Sequence, residues 1–178
     1  MKDKKISFMA GNAIMIALCI VLTLISNYIP IGSLTINLAI IAIALAAILY
    51  GPLSGLIVGL VNGCVVMFAA SAFFAISPIG TVIVCLLKSS IAGVVCGLIY
   101  KALRNKNKVV ASIIATLVVP IINTGLFIVG SLIFFNGAFG ELISIFVTLN
   151  FIIEFAVCLL VTPSINFIIE TVDNRNRV

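Results

Sequence analysis

The chain has 178 residues, of which 63% are hydrophobic and 8% are charged. Soluble domains carry about 25% charged residues, so this chain has too few polar side chains to cover a globular surface in water, and a soluble enzyme is excluded. The formal net charge is +5 and histidine is absent, which removes the usual general base and the commonest zinc ligand. The composition indicates an integral membrane protein.

Six apolar runs predict six transmembrane helices, because most of them reach the roughly 20 residues that a helix needs to cross a bilayer. The second run is short, and Gly51 and Pro52 end it, since proline cannot donate a backbone hydrogen bond and glycine weakens a helix. We expect that helix to be tilted or partly buried. The predicted fold is an all-α integral membrane protein, a compact bundle of six transmembrane helices forming one domain over residues 1–178. The predicted spans are 6–29, 34–50, 53–76, 78–100, 109–135 and 140–169.

The basic residues predict the orientation of these helices. Nine of the ten Lys and Arg lie near the two termini or in the segment 101–108, while the loops near 30–33, 77–78 and 136–140 carry none. By the positive-inside rule, both termini and the 101–108 loop are cytoplasmic. The net charge then reflects orientation and attraction to anionic membrane lipid, so nucleic-acid binding is not expected. The nine residues are Lys2, Lys4, Lys5, Lys101, Arg104, Lys106, Lys108, Arg175 and Arg177.

Cysteine usage indicates neither a metal site nor a disulfide framework. The five cysteines form no C-x-x-C pair, and each lies within an apolar run. We interpret them as small packing residues. They are Cys19, Cys64, Cys85, Cys96 and Cys158.

Small residues recur at helical spacing in three of the predicted helices. Four glycines in the third helix leave one face without side chains, so another backbone can approach it closely. That face either packs inside the protein or meets a partner. Gly93 and Gly97 repeat the pattern in the fourth helix, and Ala13 and Ala17 form a stripe near Gly11 in the first. The four glycines are Gly51, Gly55, Gly59 and Gly63.

Two charged residues lie deep in apolar runs. Lys88 is about ten residues into the fourth run, where insertion of Lys costs roughly 2.5–3.5 kcal/mol. Glu154 lies in the middle of the sixth run, with Asn150 one helical turn before it. Two interpretations stay open: Lys88 and Glu154 form a structural pair, or Lys88 faces an aqueous pocket and meets a ligand while Glu154 tunes the site.

Four amides also lie in or at the edge of apolar runs, where each needs a partner or a cavity. In the fifth run, Pro120, Asn123 and Gly125 fall within two turns and predict a broken helix beside a cavity. Amides can simply join helices, but several of them together with Lys88 favour a polar pocket. The four amides are Asn37, Asn62, Asn123 and Asn150.

The segment L-Y-G-P-L-S-G-L-I-V-G-L-V-N-G at 49–63, after the loop I-P-I-G-S-L-T-I-N-L, resembles the substrate-binding S components of energy-coupling factor (ECF) transporters. The six-helix size, the cytoplasmic termini and the Ala13/Ala17 stripe add to the resemblance. So does the segment V-C-L-L-K-S-S-I-A-G-V-V-C-G-L-I-Y-K before the basic loop. The resemblance extends over nearly the whole chain.

The resemblance implies a vitamin-uptake subunit of a prokaryotic plasma membrane that captures a micronutrient from outside. Such a subunit docks on a transmembrane coupling protein carrying two ATP-binding cassette ATPases and topples in the membrane to deliver its cargo. The chain would be neither an enzyme nor a cofactor protein, and it lacks the G-x-x-x-x-G-K-[ST] phosphate loop. The resemblance assigns Ala13 and Ala17 to the coupling face and places the substrate under the 31–37 loop.

Aromatic residues are only 8% and tryptophan is absent. The chain therefore has few residues from which to build a site that stacks a flat ring between several aromatic side chains. Phe127, Phe134, Phe146 or Phe151 could offer one face. Lys88 favours a ligand with a carboxylate, such as pantothenate, niacin, biotin or a folate. The candidate substrate-binding residues are Lys88, Asn37, Asn62, Asn123, Asn150, Glu154 and Phe127.

Two other classes of function are weighed against this one. A self-sufficient small secondary transporter or channel needs an ion relay. Lys88 and Glu154 alone are too few charged residues to form a convincing one. An intramembrane enzyme or structural accessory is a further alternative, but the membrane segments lack His, Asp and paired catalytic carboxylates, so no catalytic residue is assigned.

Overall fold

The structure, a computed structural model, describes residues 2–28, 30–31, 34–135 and 141–175. Almost all of these residues are helical, which confirms the all-α expectation. Besides short turns, the chain forms a two-residue antiparallel ladder, with Pro30 opposite Thr35 and Ile31 opposite Leu34. The elements are α1 (Lys2–Ser26), β1 (Pro30–Ile31), β2 (Leu34–Thr35), α2 (Ile40–Tyr50), α3 (Pro52–Ala69), α4 (Ser71–Ile76), α5 (Pro78–Leu103), α6 (Lys108–Phe134) and α7 (Glu141–Arg175).

Four stretches of the described helices are long and apolar enough to cross a bilayer, while α2 and α3 are shorter apolar helices. Large apolar side chains lie on the outer surface, among them Met9 at 70% exposure and Leu160 at 77%. Contact with lipid rather than water accounts for such a surface. The four stretches are Phe8–Ser26, Pro78–Leu103, Lys108–Phe134 and Val147–Ile168.

Two predicted spans differ from the structure. The second, predicted from residue 34, begins as a helix only at Ile40, because 34–35 pair with β1. The third, predicted as 53–76, is two helices separated at Ala70, whose φ of −86° and ψ of 38° leave the helical region. This break turns Phe73 of α4 toward Phe127 and Phe135. The remaining predicted ends shift by a few residues.

The predicted break in the fifth span is wrong. Pro120 lies inside α6, which continues from Lys108 to Phe134. Proline removes one backbone donor, and the turns on either side keep their own hydrogen bonds. Gly125 is exposed, with no atom within 4 Å of the position that a β-carbon would take.

Side-chain caps and prolines define where helices begin. Ser77 Oγ accepts a hydrogen bond from the Gly80 N–H at 3.3 Å, and Pro78 occupies the first turn of α5. Asn107 Oδ1 accepts from the N–H groups of Val109 and Val110 at 3.0 and 3.2 Å, which starts α6. Capping leaves fewer N–H groups unpaired at helix ends.

Helix α2 is the centre of the bundle. It packs against α1, α3, α5, α6 and α7. Its sequence, I-I-A-I-A-L-A-A-I-L-Y, is apolar on every face, as a helix enclosed on all sides requires. Its buried residues are Ile40, Ala42, Ile43, Ala44, Leu45, Ala46, Ala47 and Ile48. The expectation of a partly buried second helix is confirmed.

The glycine strip of α3 packs against α5. A β-carbon on Gly59 would lie 2.4 Å from the Ser89 carbonyl oxygen, and one on Gly55 would lie 2.4 Å from that of Gly93. Gly63 meets the Cys85 carbonyl in the same way at 2.6 Å. The two backbones therefore touch at these three glycines, and this part of the strip serves packing within the protein. Gly51, the fourth predicted member, precedes α3 and has no atom within 4 Å of a β-carbon position.

Candidate functional site

The side chain of Glu154 lies at the centre of a buried polar cluster. It is 1% exposed, on α7, among apolar helices. Its Oε1 accepts the backbone N–H of Asn37 at 3.1 Å and the side-chain N–H of Asn150 at 2.9 Å. The Asn123 side chain lies close to this carboxylate as well. A buried carboxylate requires such donors.

Three elements bring these donors together. Asn150 precedes Glu154 by one turn of α7, so both side chains lie on one face of the helix. Asn37 follows β2, which lies beside α7, and this places its backbone N–H at the carboxylate. Asn123 comes from α6, which packs along α7. The short hairpin before α2 therefore positions a donor that a helix starting at residue 34 would not present.

Lys88 of α5 lies next to this cluster. Its half-buried side chain places Nζ 5.0 Å from the centroid of the Phe127 ring, a distance that suits a cation–π contact. The Lys88 charge acts on Glu154, but Glu154 Oε1 is held by Asn37 and Asn150, and Oε2 has no hydrogen-bond partner. The structure thus shows no direct hydrogen bond between these two described charged side chains.

Aromatic side chains line the region around Lys88. Phe127 meets Phe73 edge-on with ring centroids 5.7 Å apart, and Phe73 lies 5.2 Å from Phe135. The sequence predicted Phe127 but missed Phe73 and Phe135, because nothing distinguishes them from other phenylalanines in apolar runs. Phe151 instead pairs with Phe155 at 5.8 Å, and the side chain of Phe146 lies outside the described residues.

Unpaired polar atoms concentrate in this cluster. Among the described residues, seven buried side-chain nitrogen or oxygen atoms have no hydrogen-bond partner, and five of them belong to the Glu154 cluster. Buried polar atoms are normally paired, so such a concentration indicates a place where a ligand or water completes the hydrogen bonding. The five atoms are Asn37 Nδ2, Asn37 Oδ1, Asn123 Oδ1, Asn150 Oδ1 and Glu154 Oε2.

Asn62 is the predicted site residue that the structure does not bring into the cluster. It is fully buried on α3, where its Nδ2 donates to Ser89 Oγ at 2.9 Å and its Oδ1 accepts from Thr23 Oγ1 at 3.1 Å. These bonds join α1, α3 and α5. Nothing in a single sequence distinguishes an amide that joins helices from one that faces a ligand.

The predicted coupling stripe lies on the outside of α1. Ala13 and Ala17 are exposed. Gly11 faces the other way, since a β-carbon there would lie 2.3 Å from the ring of Tyr50. The alanines therefore present a flat surface to whatever surrounds the bundle.

Among the described residues, no group of three or more His, Cys, Asp or Glu side chains is placed to hold a metal ion.

Comparison with known families gives one finding. A family model described as ECF transporter, substrate-specific component, matches residues 8–166. Comparison with curated proteins and with solved structures gave no match.

Proposed function

Because the chain belongs to the family of substrate-specific components of ECF transporters, we propose that it captures a vitamin-like micronutrient outside the cell and delivers it through a membrane coupling protein driven by two ATPases. The observation that supports this proposal is the Glu154 cluster. Its five unpaired buried atoms lie among apolar helices, where packing alone offers no reason for them. The chain binds its substrate and does no chemistry on it.

The proposal includes six spans with both termini in the cytoplasm of a prokaryotic cell. In this proposal the four long apolar helices are four of the crossings, and the shorter α2 and α3, the latter continued by α4, are the other two. An even number of crossings keeps the terminal charge clusters and the 101–108 loop on one side. The whole chain then acts as one membrane domain.

The substrate-binding residues in this proposal are those gathered around Glu154. Asn37, Asn123 and Asn150 surround the carboxylate, and Lys88 and Phe127 form the adjoining wall. We assign Asn62 a supporting role: it bonds Ser89, the residue after Lys88, and so helps to fix that part of α5. Either a carboxylate or a polar ring of the substrate would suit the Lys88 ammonium.

Ala13 and Ala17 are proposed as the contact with the coupling protein. Both are exposed, and small residues allow the backbone of another helix to approach closely in lipid. The ligand cluster is formed by other elements, α5, α6, α7 and the residues before α2. Capture and coupling are thereby separated on the molecule.

Native mass spectrometry of the purified chain, combined with uptake in cells with and without the ATPase subunits, tests the proposal. We expect a bound small molecule and uptake that stops when the ATPases are removed. Uptake that continues without them would favour a self-sufficient transporter, whereas a chain that binds nothing would reject a substrate-binding role.

A further inference from the structure

In the Glu154 cluster, more acceptor atoms than donor atoms lack any hydrogen-bond partner. A carboxylate only accepts hydrogen bonds, so Asn150 turns its N–H group toward it and its carbonyl oxygen away, and the side chain of Asn123 lies close by on α6. Both carbonyl oxygens stay unpaired, as does Glu154 Oε2. With the amide of Asn37, the cluster has four unpaired acceptor atoms against one unpaired donor, Asn37 Nδ2.

This imbalance restricts what a ligand can place there. A carboxylate brings only acceptors and a negative charge, so it would leave these oxygens unpaired and repel Glu154. A hydroxyl brings one donor but also two acceptor lone pairs. An ammonium or amidinium brings several N–H donors, no acceptor, and a charge opposite to that of Glu154.

We infer that the ligand binds Glu154 through a nitrogen group that donates several hydrogen bonds and accepts none, such as an ammonium or an amidinium. This inference rests on the proposed function, because it specifies the substrate class of the same site. Glu154 is 1% exposed and Asn123 is 4% exposed, so these acceptors have little access to bulk water as an alternative partner.

Lys88 does not take this role in the structure. Its Nζ lies over the Phe127 ring, 5.0 Å from the centroid, and Glu154 Oε2 has no hydrogen-bond partner. The Lys88 ammonium therefore provides donors for a different part of the ligand, one that bears an acceptor such as a carboxylate. The site fits an amphoteric molecule, with its nitrogen group at Glu154 and its acceptor group at Lys88.

Two probe molecules test the inference. Both contain a benzene ring, but one carries a group that only donates hydrogen bonds and the other a group that only accepts them. Benzamidine carries an amidinium, and benzoate carries a carboxylate. Thermal unfolding of the detergent-purified chain is followed while each probe is titrated. We expect benzamidine to raise Tm more than benzoate does, because benzoate can bond only to the Lys88 ammonium and leaves the Glu154 acceptors unpaired. Benzoate stabilising the chain in preference to benzamidine would overturn the inference.

Glu154→Gln locates the effect. It keeps the shape of the side chain but replaces an acceptor oxygen by an N–H donor, so benzamidine affinity should fall about 10- to 150-fold. Asn150→Ala, which removes one acceptor and leaves the carboxylate, is a second variant with a smaller expected loss. Thr162→Val is the matched control on α7, because the Thr162 hydroxyl is already bonded to the Cys158 carbonyl at 2.7 Å. Benzamidine binding that is unchanged in folded Glu154→Gln and Asn150→Ala would overturn the inference.

Native mass spectrometry separates this inference from the proposed function. A co-purified molecule that carries an N–H-bearing group and is lost in Glu154→Gln supports both. A bound molecule without such a group overturns the inference and leaves the proposed function in place. A chain that retains no molecule and responds to neither probe would reject the proposed function, and the inference with it.

Discussion

The backbone N–H of Asn37 donates to Oε1 of Glu154 at 3.1 Å, which joins residues 117 positions apart in sequence. The bond connects the segment just before α2 to the middle of α7. If that segment moved away, the buried Glu154 carboxylate would lose this donor and become exposed. In the proposed function, this contact would link ligand binding at Glu154 to the position of the 34–37 segment.

Lys88→Met tests whether Lys88 contacts the ligand. The substitution keeps the bulk of the side chain and removes its charge, so substrate affinity should fall about 10- to 150-fold while the chain still folds. Binding of the co-purified molecule, measured by calorimetry, checks the loss. The double variant Lys88→Met with Glu154→Gln distinguishes a structural Lys88–Glu154 pair from a ligand contact of Lys88. Removing both charges leaves neither of them buried without its partner. A double variant that is stable and retains the parent affinity would leave Lys88 a purely structural role.

Bulky substitution of Ala13 and Ala17 should separate transport from binding. Leucine at both positions adds volume to a close helix contact, which typically costs ~1–3 kcal/mol per site, so we expect uptake to fall roughly tenfold or more. Ligand binding by the isolated chain should be unchanged. Co-purification of the coupling protein measures the contact directly. The matched control is Ala156→Leu, which adds the same volume to an exposed alanine of α7. Full uptake and complex formation in the Ala13/Ala17 variant would reject the proposed face.

Two glycine substitutions should have opposite effects on stability. The β-carbon of Gly59→Ala would lie 2.4 Å from the Ser89 carbonyl oxygen, so α3 and α5 must separate, and we expect a destabilisation of ~1–3 kcal/mol. Gly125→Ala meets no atom within 4 Å and should stabilise α6 by about 0.5–1 kcal/mol. Thermal unfolding of both variants in detergent makes the comparison. Equal effects from the two substitutions would show that the α3–α5 contact is looser than described.

Cysteine labelling tests the orientation. Asn105 is exposed in the turn between α5 and α6, and unlike Asn107 it does not cap a helix. In a background without the native cysteines, Asn105→Cys should react with an impermeant thiol reagent only after the cells are opened, because the proposed topology places the 101–108 loop in the cytoplasm. Reaction in intact cells would invert the proposed topology.

Much of the cluster around Glu154 could be predicted because polar residues stand out in apolar runs. Lys88, Glu154 and the amides were recognised from their cost in hydrocarbon alone. The glycine strip and the burial of α2 followed from spacing and length.

The remaining features depend on packing that a single sequence does not specify. The break at Ala70 brings Phe73 onto Phe127, and no proline or glycine marks it. The continuous helix at Pro120 is the opposite case, in which a local signal predicted a break that the surrounding bundle does not require. In the sequence, Asn62 cannot be distinguished from the other amides. Its partners, Thr23 and Ser89, lie on other helices, and a single sequence does not specify that contact.

In the proposed function, the shortness of α2 determines the depth at which the substrate is bound. Its 11 residues make a helix about 16 Å long, whereas the hydrocarbon core is about 30 Å thick. In the proposed orientation α2 ends at the cytoplasmic face, so the chain enters it roughly halfway through the membrane. Lys88, ten residues after Pro78, reaches a similar depth of about 15 Å along α5. Helix α2 then closes the site on its cytoplasmic side. Because five helices pack against α2, it blocks direct passage of the substrate to the cytoplasm. The proposed function therefore favours release by reorientation of the whole molecule over a gate that opens beneath the ligand.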